Sequence, residues 1–217
     1  MISHNYIFLT SHTDLQKLSR KTYEKYKREF LHVLTDEKHI IVTTYATVGL
    51  KVNTQILIWF QAETIDTIQD FLNVLLHTHL GRYLQITYTL FGMTRPTQYA
   101  PFPTNHLDTS RKGGQYLIIY PFTKTKEWHT LDFAMRKKLM SGHIAIGKKY
   151  TQVSQLLLYS YGIDDSEFIV SYETDDLSAF QSLVIEMRTD KVRAYTLLDT
   201  PIFTCIYKSP EQVLKFL

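Results

Sequence analysis

Two stretches of the sequence share one pattern and decide the fold. They are WFQAETIDTIQDFLNVL (residues 59–75) and SYETDDLSAFQSLVIEM (residues 171–187). Each reads as the end of a strand, then Glu-Thr-x-Asp, then an amphipathic helix. A match of this length arises by chance as well as by duplication. Duplication is therefore indicated only if the elements on either side repeat too.

The neighbouring elements repeat in one order. The first half reads as a strand, a helix, two strands, a helix and a strand, at residues 5–10, 15–33, 39–49, 54–60, 67–78 and 83–92. The second half repeats this at residues 115–122, 131–150, 154–162, 167–173, 177–188 and 199–207. This predicts an α+β protein of two tandem ferredoxin-like domains. We place them at residues 1–105 and 106–217, because Pro, Thr and Gly cluster between the halves.

Composition excludes several classes of protein. The 217 residues carry a formal charge of only +3, and the basic residues are scattered, so a nucleic-acid partner is not expected. Cys205 is the only cysteine, which excludes an intramolecular disulfide and a cysteine-based zinc site. The chain shows neither a bilayer-spanning apolar run nor a signal-peptide pattern. We expect a cytoplasmic protein that does not insert into membranes.

A histidine stands on the apolar face of the first helix pattern in the second half. We predict that this helix starts after Thr130 as N-cap. At 100° per residue, His143 lies near the centre of a face formed by Met135, Leu139, Met140, Ile144 and Ile146. The pattern alone favours a core histidine with hydrogen-bonded ring nitrogens. The alternative is a metal or haem ligand, because a neutral imidazole is a good axial donor to iron.

Two features of the sequence near His143 favour its interpretation as a metal or haem ligand. Gly142 and Gly147 each weaken the helix by roughly 1 kcal/mol relative to alanine, as expected if a flat group approaches the backbone closely. Gln155 starts a strand whose other residues are almost all apolar. Its amide either faces solvent at the strand end or faces a ligand on iron.

Four separated segments resemble the chlorite dismutase family. They are YPFTKTKEWHTL (120–131), RKKLMSGHIAIGKKY (136–150), YSYGIDDSEFIVSYETDD (159–176) and DTPIFTC (199–205). The first half resembles the family mainly in element order. The resemblance implies ferredoxin-like domains of the dimeric α+β-barrel type and a haem pocket in the C-terminal domain. It also implies His143 as the proximal haem ligand, and a homo-oligomer, commonly a ring of five subunits.

Within the family that the chain resembles, one residue on the distal side of the haem separates two activities. It stands seven residues before Gly162. True chlorite dismutases have an arginine there, whose fixed cation holds an anionic oxychlorine species. Here the residue is Gln155, which is neutral. The sequence is therefore similar to the coproheme decarboxylase branch, also called HemQ, and we do not expect chlorite degradation.

In that branch coproheme is substrate and redox centre, and hydrogen peroxide drives the decarboxylation of two propionates to give haem b. The branch pattern Tyr-Pro-x-x-Lys implies Tyr120 as a tyrosyl relay and Lys124 as a cation for the reacting propionate. Lys148 and Arg193 are the implied contacts to other propionates, although Arg193 stands one position earlier than in the branch. From the residues alone, Tyr120 is equally typical of strand packing and Lys124 of a solvated loop.

Two alternatives stay open. A general haem-dependent peroxidase, or a haem-binding protein without decarboxylase activity, would keep His143 and need neither Tyr120 nor Lys124. A non-haem scaffold for oligomerisation or ligand sensing would leave His143 as a core residue. We also expect the segment RTDKV (188–192) to lack the acid that supports the proximal histidine in true dismutases, and haem binding to be correspondingly weak.

Overall fold

The computed structural model describes residues 1–99 and 113–217. Nine strands in these ranges pair antiparallel: β1 (Ser3–Ser11), β2 (Ile41–Ala46), β3 (Ile56–Ala62), β4 (Leu84–Met93), β5 (Tyr116–Lys124), β6 (Ser154–Tyr159), β7 (Phe168–Thr174), β8 (Thr196–Leu198) and β9 (Phe203–Tyr207). The helices are α1 (Arg20–Asp36), α2 (Ile65–His77), α3 (Lys126–Thr130), α4 (Phe133–Gly147), α5 (Leu177–Arg188) and α6 (Pro210–Val213).

The strand order confirms the predicted duplication. The first half pairs as β4-β1-β3-β2 and the second as β6-β7-β5-β9, the same ferredoxin-like order read from opposite ends. The two sheets then join edge to edge. β2 pairs with β9 at Tyr45 and Tyr207, and β4 pairs with β6 at Met93 and Tyr159. Eight strands therefore form a closed ring, and β8 extends from β5 outside it.

Strand alternation gives the closed sheet two apolar faces. The inner face holds a cluster in which Tyr6, Phe8 and Trp59 from the first half meet Leu117 and Phe203 from the second. The outer face of the first half is covered by α1 and α2, whose buried residues are Phe30, Leu34, Ile68, Phe71 and Leu75. The outer face of the second half is covered by α4 and α5.

The shared Glu-Thr-x-Asp motif caps a helix in both halves, but from different positions. Thr64 is the N-cap of α2, and its hydroxyl accepts a hydrogen bond from the Thr67 amide at 3.3 Å. Asp176, two positions later in the motif, caps α5 through the Ser178 amide at 2.9 Å. Both satisfy a helix-terminal N–H that would otherwise lack a partner.

Several predicted boundaries were wrong. Helix α4 starts at Phe133 with Asp132 as N-cap, whose carboxylate accepts from the Met135 amide at 2.7 Å, whereas Thr130 ends the separate short helix α3. The predicted last strand begins only at Phe203, and residues 199–202, which include a cis Thr200–Pro201 bond, lie outside it.

The predicted domain boundary at residues 105 and 106 lies outside the described residues. Among the residues described, no helix combines the length and the apolar character needed to cross a membrane.

Candidate functional site

A cavity of about 470 Å³ lies in the second half, between the outer face of the sheet and the helices α4 and α5. The sheet wall is formed by Tyr120 and Phe122 of β5, Gln155, Leu157 and Tyr159 of β6, and Phe168, Val170 and Tyr172 of β7. Residues 95–99, which follow β4, close one side. Apolar walls with a few polar groups are typical of a small-molecule or cofactor site.

Helix α4 forms the opposite wall and places His143 in it. Arg136, Met140 and His143 follow the i, i+4, i+7 spacing of one helix face, and all three line the cavity. None of the α4 residues is fully buried, and Met135 of the predicted apolar face is 42% exposed. The face that carries His143 is thus a cavity wall rather than part of a packed core.

His143 is half-buried and kept neutral. Burial lowers its pKa, and Lys124 nearby acts in the same direction, while Asp190 partly opposes them. Its Nδ1 lies 3.4 Å from Asp190 Oδ2, which leaves Nε2 as the ring nitrogen available to a ligand in the cavity. A neutral imidazole has the lone pair that a metal ligand needs.

Asp190 corrects the expectation that no acid supports His143. It lies in the segment 188–192, at the N-cap of the 3₁₀ turn Lys191–Tyr195, where its Oδ1 accepts from the Val192 amide at 3.4 Å. Its Oδ2 faces His143 at a distance that is long for a hydrogen bond, so charge is the larger effect. A carboxylate beside the remote ring nitrogen raises ligand basicity.

Gln155 lies across the cavity from α4. It is the second residue of β6, and its Cα pairs with that of Tyr172 on β7. The side chain is exposed in the single chain and lines the cavity together with Leu157 and Tyr159 of the same strand face. Of the two interpretations from sequence, this position agrees with an amide that faces the cavity.

Tyr120 is a half-buried phenol at the sheet wall. Burial raises its pKa, and the neighbouring Tyr172, whose ring centre lies 6.1 Å away, lowers it in part. Asp199 also raises the pKa, while Arg188 and Arg193 lower it. The phenol is therefore protonated at neutral pH. It lies near the carboxylate of Asp199 and the two arginines that contact this carboxylate.

Lys124 ends β5 and lines the cavity beside Trp128. Burial lowers its pKa to about 8, with a further contribution from the positive charge of Arg193. Its Nζ lies 4.7 Å from the Trp128 ring centre, and its backbone amide donates to Glu167 Oε2 at 2.7 Å. These contacts hold the Lys124 ammonium in the cavity wall, where it loses its proton slightly above neutral pH. The alternative from the sequence, a lysine solvated in a loop, does not describe this position.

The structure separates the two predicted propionate contacts. Arg193 lines the cavity, and its guanidinium lies 3.3 Å from Asp199, which Arg188 also contacts at 2.9 Å. Lys148 is exposed at the C-cap of α4 and is not part of the cavity wall. It follows His143 by five residues and so points about 140° away around the helix.

The two glycines of α4 lie away from the cavity, where the predicted close approach of a flat group would take place. A Cβ at Gly142 would meet nothing within 4 Å, and one at Gly147 would only touch Met187 at 3.6 Å. Neither glycine lines the cavity.

Sequence reasoning missed several polar residues of the cavity wall, among them Arg95, Arg136, Tyr172 and Asp199. Arg136 had a signal, because it lies seven residues before His143 and thus on the same helix face. Its buried Nε has no hydrogen-bond partner among the described residues. The other three reach the cavity through strand pairing and loop geometry, which periodicity does not report.

The sequence profile of the chlorite dismutase family matches residues 20–208. The chain belongs to the chlorite dismutase family. Among curated proteins, this family member is 26% identical over 182 residues to a coproheme decarboxylase of Mycolicibacterium smegmatis, covering 81% of this chain and 76% of that protein. This relative agrees with the branch predicted from Gln155, Tyr120 and Lys124.

Solved structures give the same family. A mutant of chlorite dismutase from Candidatus Nitrospira defluvii matches with a TM-score of 0.90 and 25% identity, covering 99% of this chain and 94% of that one. A haem-binding protein from Thermus thermophilus matches with a TM-score of 0.85 over the same shares of the two chains. At 22% identity, the second match shows the fold alone.

The residues of this chlorite dismutase family member fit a haem group. Within residues 1–99 and 113–217, no three His, Cys, Asp or Glu side chains come together as metal ligands. Iron held by His143 would take its other ligands from a porphyrin. The cavity supplies an apolar slot for a macrocycle, and Lys124, Arg95, Arg136, Arg188 and Arg193 supply cations for its acidic groups.

Proposed function

We propose that this protein converts coproheme to haem b with hydrogen peroxide as oxidant. The observation that carries the proposal is one arrangement. His143 and Gln155 lie on opposite walls of one cavity, and Tyr120 and Lys124 lie along the same sheet wall. The identity of 26% to a coproheme decarboxylase supports the same reaction.

The balance of the reaction defines what the protein groups have to do. Each decarboxylation releases carbon dioxide from one propionate and leaves a vinyl group. The propionate gives up two electrons, and one peroxide with one added proton becomes two water molecules. Bound iron porphyrin supplies the redox chemistry that peroxide drives, and the side chains bind, orient and transfer hydrogen.

Tyr120 is the proposed hydrogen relay. Peroxide would first oxidise the phenol by one electron and one proton to a tyrosyl radical, and this radical would take a hydrogen atom from the propionate side chain, which restores the phenol. The propionate would then lose carbon dioxide and its second electron to leave the vinyl group. A protonated phenol at the cavity wall is suited to this role, because burial keeps its pKa above the ordinary value and preserves the O–H bond at neutral pH.

Lys124 and Gln155 have separate roles. Lys124, with a pKa of about 8, pairs with the reacting propionate and can supply the proton that peroxide reduction consumes. Gln155 would act as a neutral hydrogen-bond donor from the cavity wall opposite His143. It does not hold an anion as an arginine would, which favours peroxide over an oxychlorine anion.

Purified protein with ferric coproheme and titrated peroxide tests the proposal, with the porphyrins analysed by mass spectrometry. We expect stepwise loss of two carboxyl groups. Tyr120→Phe should bind coproheme with unchanged affinity and decarboxylate it about 100-fold more slowly or not at all. Tyr88→Phe, outside this cavity, is the matched control and should behave as wild type.

The outcome also separates the proposal from its alternative. If coproheme binds but keeps all four carboxyl groups in the wild type, while peroxide oxidises an added phenol, the protein is a haem peroxidase and the decarboxylase proposal is wrong.

The proposal extends to assembly and location. We propose a homo-oligomer, with the ring of five subunits that the family resemblance implies, in the cytoplasm. Mass photometry of the purified protein at nanomolar concentration distinguishes five subunits from fewer.

A further inference from the structure

Arg136 is a cation of the cavity wall that no step of the proposed reaction uses. It lines the cavity from the first half of α4, and its buried Nε has no hydrogen-bond partner among the described residues. Arg188 and Arg193 of the same cavity differ, because both contact Asp199, at 2.9 and 3.3 Å. A buried donor without a partner costs free energy, so a ligand that pairs with the Arg136 guanidinium would recover this cost.

The packing of α4 shows on which side of the cavity Arg136 lies. At the start of the helix, the Phe133 ring stacks on Tyr99, with ring centres 6.0 Å apart. Tyr99 belongs to the segment that follows β4, the strand that pairs with β6. Further along the helix, His143 faces Asp190, which follows α5. Arg136 comes one turn after Phe133 and therefore lies on the β4–β6 side.

Two further cations lie on the opposite side of the cavity, together with the proposed relay. Lys124 and Tyr120 both belong to β5, and Arg193 lies in the turn directly before β8, which pairs with β5. Strand β7 separates β5 from β6 in the sheet, because it pairs with both. The cavity therefore has positive charge on two sides, and only the β5 side adjoins Tyr120.

Coproheme carries acidic groups on both sides of its ring. The two propionates that become vinyl groups stand on adjacent pyrroles, and the two that haem b retains stand on the other two pyrroles. If the reacting pair lies beside Tyr120 and Lys124, the retained pair points to the β4–β6 side. Arg136 lies seven residues from His143, about 10 Å along the helix axis, which suits contact with the rim of a macrocycle centred at His143.

We propose that Arg136 binds a propionate that the reaction leaves in place, and so holds coproheme and haem b alike. A guanidinium and a carboxylate form charge-assisted hydrogen bonds of fixed geometry. The contact orients the ring so that the other two propionates face Tyr120. The proposal rests on the proposed function for the identity of the porphyrin.

Titration of the Soret band with ferric coproheme and with ferric haem b, without peroxide, tests the assignment. Arg136→Met removes the guanidinium and keeps an unbranched apolar side chain. We expect both affinities to fall about tenfold and by the same factor, because both porphyrins carry the retained carboxylate. Arg193→Met should weaken coproheme severalfold and leave haem b within about twofold of wild type. Lys137→Met, exposed beside Arg136 and outside the cavity wall, is the control for both.

Esterified haem separates charge from packing. In haem b dimethyl ester both carboxylates are blocked, so Arg136→Met should bind it as tightly as the wild type does. If the variant loses the same affinity for the ester as for haem b, Arg136 acts by packing. If it weakens coproheme and not haem b, Arg136 contacts a reacting propionate. Either result overturns the proposal, as does unchanged affinity for both acids.

The protein without porphyrin gives an independent readout. Arg136→Met should not lower its melting temperature, because no described residue pairs with the guanidinium. A lower melting temperature would reveal a structural partner of Arg136 and overturn the proposal. Peroxide is added only afterwards. A wild type that binds both porphyrins but removes no carboxyl group refutes the proposed function, while the affinities still decide the role of Arg136.

Discussion

The two halves of this protein share one topology and use their outer sheet faces differently. In the first half, α1 and α2 press aromatic and aliphatic side chains onto the sheet and form a continuous core with Phe30, Phe60 and Phe71. In the second half, the corresponding cluster has only Val170, Tyr172 and Leu183 as buried members among the described residues. The space left between α4 and the sheet is the cavity.

The difference arises from a few side chains on one helix face. Helix α1 faces the sheet with Phe30 and Leu34, both 0–1% exposed. Helix α4 faces it with Arg136, Met140 and His143, which do not fill the space. A ferredoxin-like unit thus becomes a binding site when polar and flexible residues replace core residues on one face, with no change in strand order.

Two histidines show the same contrast. His4 is 3% exposed, and burial lowers its pKa to about 3; its Nδ1 accepts from the Trp59 indole at 3.2 Å. It is a core histidine of the kind that the helix pattern favoured for His143. His143 is also neutral but lies in a cavity wall with a carboxylate behind it.

The largest expected effect is on the stability of the first half. Phe30→Ala should lower the free energy of unfolding by about 3–5 kcal/mol, because it leaves a cavity in a close-packed core. Met140→Ala should cost less than about 1 kcal/mol, since Met140 already borders open space. Urea denaturation followed by circular dichroism measures both, and equal losses would mean that the two halves are packed alike.

The next effect concerns the carboxylate behind His143. Asp190→Asn keeps the size of the side chain and removes its charge, so the imidazole becomes a weaker donor. We expect coproheme affinity to fall about 10- to 100-fold, as is typical when the partner of a metal-bound histidine is lost. A titration of the Soret band measures it. Asp14→Asn, at an exposed position of the other half, should have no effect.

A smaller effect concerns the charge on Lys124. Its folded-state pKa of about 8 lies below its ordinary value of 10.5, so burying the cation destabilises the fold at pH below 8, and this cost disappears as pH rises to 10.5. Lys124→Met should therefore be about 1 kcal/mol more stable than wild type at pH 7, after the lost cation–π contact.

The pH dependence is the control for this variant. At pH 9.5 the advantage of Lys124→Met should shrink to less than half, because the folded wild type has then lost its charge. An advantage that is constant from pH 7 to 9.5 would show that packing, and not the charge, is responsible.

The smallest effect distinguishes the two predicted propionate contacts. Lys148→Ala should leave coproheme affinity within twofold of wild type, because Lys148 is exposed on the far side of α4. Arg193→Ala should lower the affinity severalfold, since a half-buried charge contact is lost. Isothermal titration of both variants tests the assignment, and the opposite ranking would restore Lys148 as the contact.

The sequence was sufficient for the fold because periodicity and element order are local signals. The repeated order predicted both ferredoxin-like halves, and the four motif segments indicated the family. Boundaries were less accurate, since they depend on single caps: Asp132, and not Thr130, starts α4. The two copies of the Glu-Thr-x-Asp motif likewise cap their helices from different positions: Thr64 caps α2, and Asp176, two positions later in the motif, caps α5.

Sequence patterns pointed to residues of the cavity wall only where the residue's own strand or helix places it there. Tyr120 and Arg193 lie in the wall near Asp199, and His143 and Gln155 lie on opposing walls. Asp190 faces His143 from a segment that is distant in sequence, and Tyr172 reaches the cavity wall through strand register. Lys148 lies outside the cavity wall of the chain, because a basic residue near His143 in sequence need not share its helix face.

The measurement that tests the central claim most directly is rescue of the axial ligand. His143→Gly should lose the absorption spectrum of histidine-bound coproheme, and added imidazole should restore it. His129→Gly removes the second histidine that the described residues place in the cavity wall, which contacts Glu167 at 2.8 Å, and should keep the wild-type spectrum. A wild-type spectrum in His143→Gly without imidazole would contradict the account, because the second half would then bind coproheme without His143.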